Sequence, residues 1–227
     1  LQNALGYVRP CVSGSGGDIT SHYVFRTDDS GQTSVYSFSG KTFASTPLIG
    51  STTETTEDQK SFTVEAKRLD LWLKTLTAGI TVDLTYDIEG SEVVAEAPRG
   101  RNVFQSLDPS TFPWWDTLLE SATETATVRA DHLYGALQHA RAFVCGEEHQ
   151  MPHLCVVEAR GGRLYSTDTT GAAFVEVPGL GESKIRVHGK DIGSALSFLS
   201  LLGDQDISIM EMDKAQFFVH NGTTCFG

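Results

Sequence analysis

Apolar residues recur along the chain at two alternating periods. The helical period of three to four positions is kept by Leu69, Trp72, Leu73 and Leu76, by Leu133, Leu137, Ala140 and Val144, and by Ile192, Leu196 and Leu199. Each set follows a short β-branched run and a small residue, as in Thr63-Val64-Glu65-Ala66, Thr127-Val128-Arg129-Ala130 and Arg186-Val187-His188-Gly189. Leu1, Ala4, Leu5, Val8 and Val12 predict a fourth helix without a leading strand. After each helix the period drops to two, the mark of half-buried strands. The turns between the runs fall at Asp28-Asp29-Ser30-Gly31, Glu89-Gly90, Gly161-Gly162 and Asn221-Gly222.

A longer recurrence overlies this one. Residues 1–48 and 133–180 superpose with few gaps: Leu1 on Leu133, Ala4-Leu5 on Ala136-Leu137, Arg9 on Arg141, Val24 on Val156, Tyr36-Ser37 on Tyr165-Ser166, and Pro47 on Pro178. Self-similarity of this kind decides the architecture before any motif does. It gives four helix-plus-strands units grouped two and two. The expected fold class is α+β, with a first domain over 1–108, a connector over 109–124 and a second domain over 125–227. Each domain would pack two helices on antiparallel sheet. Gly227 falls a few residues before the last strand should finish.

Composition narrows the functional classes. A chain of 227 residues that is 40% hydrophobic, with 12 Phe, can bury a core and is not disordered. Its apolar runs stay far below the ~18 residues that span a bilayer. Four cysteines are too few for a disulfide scaffold, so reduced thiols and a cytoplasmic location are expected. The net charge of −12 argues at first sight against a nucleic-acid partner. Its distribution reverses that. The helical windows 1–12, 67–77, 129–144 and 190–202 hold seven basic residues (Arg9, Lys67, Arg68, Lys74, Arg129, Arg141 and Lys190) against Asp70, Asp131 and Asp191, a balance of +4. The remaining residues hold ten basic against 26 acidic, a balance of −16. Mildly positive helices on an acidic body suit loose contact with a phosphate backbone, where point charges suffice. Basic residues on solvated helix faces are the plainer alternative.

The order and spacing of these segments resemble the bacterial DNA sliding clamp, the processivity factor of the replicative polymerase. The match runs through Thr63–Leu76, Ile80–Leu107, Phe112-Pro113-Trp114-Trp115-Asp116, Thr127–Val144, Leu164–Pro178 and Ile185–Leu199. The resemblance implies DNA-clamp-like domains, each with two helices on a curved antiparallel sheet. It also implies a homo-oligomeric six-domain ring with helices inward around double-stranded DNA, and no catalysis or cofactor. The DNA-facing residues would be the seven basic residues above. The family's partner pocket carries a Thr-Asp-Gly-His-Arg-Leu-type stretch that takes polymerase or other clamp-binding peptides. Thr167, Asp168, Thr170 and Gly171 stand there, with small side chains in place of the long ones. Gly40, Lys41 and Phe43 in the first half match about as well, which leaves open whether these are the first two or the last two of three clamp domains. An alternative within the same fold is the clamp-like effector domain of a helix-turn-helix transcription regulator that forms no ring.

Other chemistry is weaker. Cys145, His149, His153 and Cys155 lie within eleven residues, but their spacing fits no common zinc site, and buried thiols beside a histidine loop is the expectation. Ser13-Gly14-Ser15-Gly16-Gly17 follows a helix instead of opening one, so it lacks the amide donors of a phosphate loop. Neither a Gly-x-Ser-x-Gly elbow nor a His-Glu-x-x-His helix occurs. Asp204 and Asp206 read as turn formers, and Trp114 and Trp115 as a pin between the two domains.

Overall fold

The computed structural model describes residues 1–14, 17–50, 60–145, 151–212 and 215–227. The chain divides into two compact units, Leu1–Trp114 and Trp115–Gly227. In the first, α1 (Gln2–Val8) leads to β1 (His22–Thr27), β2 (Thr33–Phe38) and β3 (Phe43–Pro47). Then β4 (Ser61–Glu65) runs straight into α2 (Ala66–Leu73), followed by β5 (Asp83–Asp87), β6 (Glu92–Ala97) and β7 (Gly100–Gln105).

The second unit opens with a short helix, α3 (Asp116–Ser121), and then repeats the pattern. Strand β8 (Thr123–Arg129) enters α4 (Ala130–Arg141), and β9 (Val156–Arg160), β10 (Arg163–Thr167) and β11 (Ala172–Glu176) follow. Strand β12 (Arg186–His188) precedes α5 (Ile192–Leu202), with β13 (Asp206–Met212), β14 (Ala215–His220) and β15 (Thr224–Phe226) after it. Each unit thus consists of two strand–helix–meander repeats, the first of them beginning here at its helix.

The strand pairs within each unit are antiparallel and interlock the repeats. The leading strand of one repeat pairs with the first meander strand of its sister: β4 with β1, β8 with β13, and β12 with β9. Helix and meander are joined by side chains that the sequence repeat aligns. Ser37 on β2, fully buried, donates its hydroxyl to the Val8 carbonyl at the end of α1. Ser166 on β10 does the same to the Ala140 carbonyl near the end of α4, at 2.7 Å. The Ser37 hydroxyl reaches a carbonyl at a helix end, and Ser166 adds a second donor to one that the Phe143 N–H also reaches. The small residue at each strand–helix junction is small for space: Ala66 and Ala130 are buried, and a Cβ on Gly189 would meet Val144 Cγ1 at 2.8 Å.

All four predicted helices form, and three of them end early, α5 running on to Leu202. Pro10 has no N–H to continue α1, and the chain tightens into a 3₁₀ turn over Arg9–Cys11. Helix α4 stops before Val144, where the Phe143 N–H bonds the Ala140 carbonyl three residues back. The hairpin turns stand where the glycines place them: Gly161 and Gly162 have φ of 56° and 74°, and Asn221 and Gly222 of 50° and 69°. Within 109–124 the chain is more ordered than a connector requires. Phe112 is buried and packs with Trp114 on Tyr36, ring centroids 6.2 and 5.3 Å away, and the Arg26 guanidinium lies 4.6 Å from the Trp114 ring centroid. Its Thr/Glu-rich end is the start of β8, because β-branched threonines there pair with β13.

Candidate nucleic-acid and partner surfaces

Each unit carries part of its basic complement on or beside its helices. In the first, α2 turns Leu69 and Leu73 into the core, which leaves Lys67, Leu71 and Lys74 aligned on the exposed face. Lys67 and Lys74 form no ion pair among the described residues. Arg68 is held by Glu65 at 2.8 Å. Arg9 is engaged more strongly. Its guanidinium grips Asp70 of α2 in a two-pronged contact at 2.7 and 2.8 Å, and the Tyr23 hydroxyl donates to the same carboxylate at 3.2 and 3.3 Å. The hydrogen bond to Asp70 raises the Arg9 pKa above its already high value. Burial, and then the Asp70 charge, push the Tyr23 phenol well above the ordinary tyrosine range. Arg9 therefore ties the end of α1 to α2, with its charge matched by a carboxylate.

In the second unit, Arg129 closes on Asp131 at 2.6 and 3.0 Å, and this raises its pKa further while lowering that of Asp131. Arg141 is exposed at the end of α4 without an ion pair among the described residues. Lys190 is exposed just before α5, its N–H on His188 Nδ1 at 3.3 Å. Helix α5 itself has no charged residue, and its exposed positions are Ser197, Ser200 and Leu201. Of the seven basic residues, Arg9, Arg68 and Arg129 have carboxylate partners, Lys67, Lys74 and Arg141 are exposed with no ion pair among the described residues, and Lys190 is exposed.

The two candidate partner sites are topological equivalents, the turns between the second and third meander strands. At Thr167–Gly171 the Asp168 carboxylate accepts from the Thr170 hydroxyl and from the Thr170 and Gly171 N–H groups at 2.8–2.9 Å. These donors, the hydroxyl foremost, hold its carboxyl below the usual range. The Thr167 hydroxyl closes the turn on the Gly171 carbonyl at 2.8 Å. Gly171 is required by space, since a Cβ would meet the Phe143 ring at 2.6 Å. The other turn is closed by Ser39 and Thr42, whose hydroxyls lie 2.8 Å apart, with Gly40 at φ 93° and Lys41 exposed. Phe43 is only 5% exposed and belongs to the core, so its ring is not offered to a peptide.

Among the described residues no cluster of three or more His, Cys, Asp or Glu could hold a metal ion. Cys155 is buried, and His149 lies outside the described residues, as do Ser15 and Gly16 of the glycine-rich loop. No helix of the described residues is long and apolar enough to cross a membrane. Two features have no counterpart in the sequence pattern. The Arg9–Asp70–Tyr23 contact joins residues up to 61 positions apart and leaves no local signal. Phe174, 70% exposed on β11, follows the strand alternation and signals nothing more.

The interlocked strand–helix–meander repeats define the fold of a DNA sliding clamp. Solved structures of that fold match nearly the whole chain. The DNA polymerase III subunit beta from Pseudomonas aeruginosa matches over 99% of this chain at 16% identity and a TM-score of 0.75. The DNA polymerase sliding clamps from Caulobacter crescentus (98%, 18% identity, TM-score 0.80) and Bacillus subtilis (99%, 14% identity, TM-score 0.76) match as well. This chain spans 60–61% of the length of those chains. No protein-family model matches the sequence, and no curated protein does.

Proposed function

We propose that the chain supplies two domains of a sliding-clamp-type ring that encircles duplex DNA and tethers a polymerase or another partner bearing a clamp-binding peptide. The domains are residues 1–108 and 125–227, joined by 109–124. The observation that carries this reading is the doubled clamp fold, matched over 98–99% of the chain by sliding-clamp structures. The exposure of four of the basic residues supports it. A ring that slides must meet phosphates as point charges and leave base edges unread, because base-specific contacts of about 1–3 kcal/mol each would arrest it. Lys67, Lys74, Arg141 and Lys190 meet that requirement. The protein acts by topology, with no bond made or broken, and its partner peptide docks near the Gly40–Lys41 or the Thr167–Gly171 turn.

Two measurements test this. Solution mass should show particles holding six clamp units, and binding to duplex DNA should be weak, sequence-independent and steeply salt-dependent. Lys74→Ala with Arg141→Ala should reduce the slope of log affinity against log salt by roughly 1.8, at about 0.9 for each phosphate no longer neutralised. A monomer that neither binds DNA nor stimulates a polymerase overturns the ring and is the result expected of a regulator's effector domain.

A further inference from the structure

The tip of the β14–β15 hairpin holds a reactive pair of residues. Its turn, His220-Asn221-Gly222-Thr223, is closed by a bond from the Thr223 N–H to the His220 carbonyl at 3.2 Å, with Asn221 and Gly222 in the left-handed region. Asn221, Gly222 and Thr223 are all exposed. Among the described residues, neither the Asn221 side-chain amide nor the Gly222 N–H makes a hydrogen bond. Glycine puts no side chain beside its own nitrogen, and a Cβ built on Gly222 would meet nothing within 4 Å. The Gly222 nitrogen is therefore unhindered on its way to the Asn221 side-chain carbonyl carbon, Cγ. The other two asparagines are protected. Asn102 lies in β7 before the β-branched Val103, and its Oδ1 accepts the Val103 N–H at 3.0 Å. Asn3 lies within α1, whose backbone fixes the nitrogen of Ala4.

We propose that Asn221 is a self-modification site, at which the folded chain converts its own asparagine to aspartate and isoaspartate without an enzyme. The Gly222 nitrogen, its proton taken by hydroxide, attacks Asn221 Cγ. The new N–C bond closes a succinimide, and the side-chain nitrogen leaves as ammonia. Water then adds to one of the two imide carbonyls and breaks its bond to nitrogen. Opening at Cγ gives aspartate, and opening at the backbone carbonyl gives isoaspartate. Either product sets a carboxylate beside His220, whose Nδ1 lies 3.0 Å from the Asp206 carbonyl. Isoaspartate also lengthens the backbone by one carbon at the turn that sets Val219 opposite Cys225 and Phe218 opposite Phe226. Cys225 and Phe226 are buried, so this change loosens β15 from the core of its unit. The site stands apart from the DNA and partner surfaces and does not rest on the sliding-clamp reading.

The test incubates the full, folded chain at mildly alkaline pH beside the free peptide of residues 215–227, with peptide mapping by mass spectrometry at intervals. Asn221 alone among the asparagines should exchange its amide NH for O, as a mixture of aspartate and isoaspartate, and faster as the pH rises. Gly222→Ala should slow the exchange several-fold. Asn221→Gln, which would need a larger ring, should abolish it and leave the hairpin intact. Aged native protein should unfold at a lower temperature than fresh protein, and aged Asn221→Gln should not. An Asn221 that stays intact in the folded chain while the free peptide converts overturns the proposal, because the turn then protects it. Conversion of Asn3 or Asn102 at the same rate overturns it as well.

Discussion

The two second meanders, β5–β7 and β13–β15, are built from the same order of elements and differ in one respect. Among the described residues β13 lies between two strands and β5 beside one. With β8 beside it, β13 buries Ile207 and Ile209 almost completely. With β6 alone beside it among the described residues, β5 leaves Leu84 and Tyr86 half-covered, although its pattern of apolar positions is just as regular. Alternation thus says which face of a strand points inward, and the neighbouring strand decides how far inward it gets. In this fold the neighbour comes from the other repeat. A repeat cannot complete its own sheet, and the domain needs both.

The comparison can be broken by matched truncations. Ile209→Ala should destabilise the protein by about 2–5 kcal/mol, and Leu84→Ala by no more than about 1, because a half-exposed side chain has less transfer energy to lose and leaves no closed cavity. Urea unfolding of both variants checks this, and equal losses would mean that β5 is as well covered as β13. A second contrast concerns how the helices are held. In the first unit Arg9, Asp70 and Tyr23 join them, whereas α4 and α5 face each other with apolar side chains. Asp70→Ala should cost roughly 1–3 kcal/mol, since it leaves the buried Tyr23 hydroxyl and half-buried Arg9 without their acceptor.

The same contact carries a pH signature. Burial and the Asp70 charge raise the Tyr23 pKa in the fold, so its contribution is complete below about pH 10, where a free phenol ionises. It is lost as the pH climbs above that, because only the unfolded chain then gives up the proton. Tyr23→Phe should lose less stability than the native protein between about pH 9 and 11, around the ordinary phenol pKa, measured by denaturation at each pH. The smallest effect separates the two candidate partner turns. Gly171→Ala must displace the Phe143 ring and should cost about 1–2 kcal/mol, whereas Gly40→Ala meets open space and is opposed only by its φ of 93°, roughly 1 kcal/mol. Thermal unfolding of the two variants measures the difference.

Much of this architecture is legible in the sequence, and the limits have physical causes. The junctions at Ala66, Ala130 and Gly189 are visible because strand, small residue and helix follow one another within a short stretch, where local propensity and steric fit act together. The hairpins are visible because left-handed turns demand glycine or asparagine. Helix ends are not visible at Val144 and Leu76, whose apolar side chains continue the period into tightened turns that sequence spacing does not distinguish from helix. At the candidate surfaces the residue types are legible and their pairing is not. Arg9 and Asp70, or Arg68 and Glu65, look like independent charges until the fold sets their side chains together, so counting charge on the helices overstates what stands free. Phe43 reads with its polar neighbours as part of a surface turn, while its place at the start of β3 carries it into the core.

The paired serines, Ser37 and Ser166, give the fold a mechanical character. Each fixes the last turn of a helix to the middle strand of its meander by a single buried bond with a defined direction. Side-chain packing alone would let the helix slide or roll by small steps over the sheet, like a foot on gravel. A directed hydrogen bond works as a rivet, so a pull along α1 or α4 is delivered to β2 or β10 at one point and at once. Helix and sheet in each unit should therefore yield together under load, with no soft stage in which the helix shifts first.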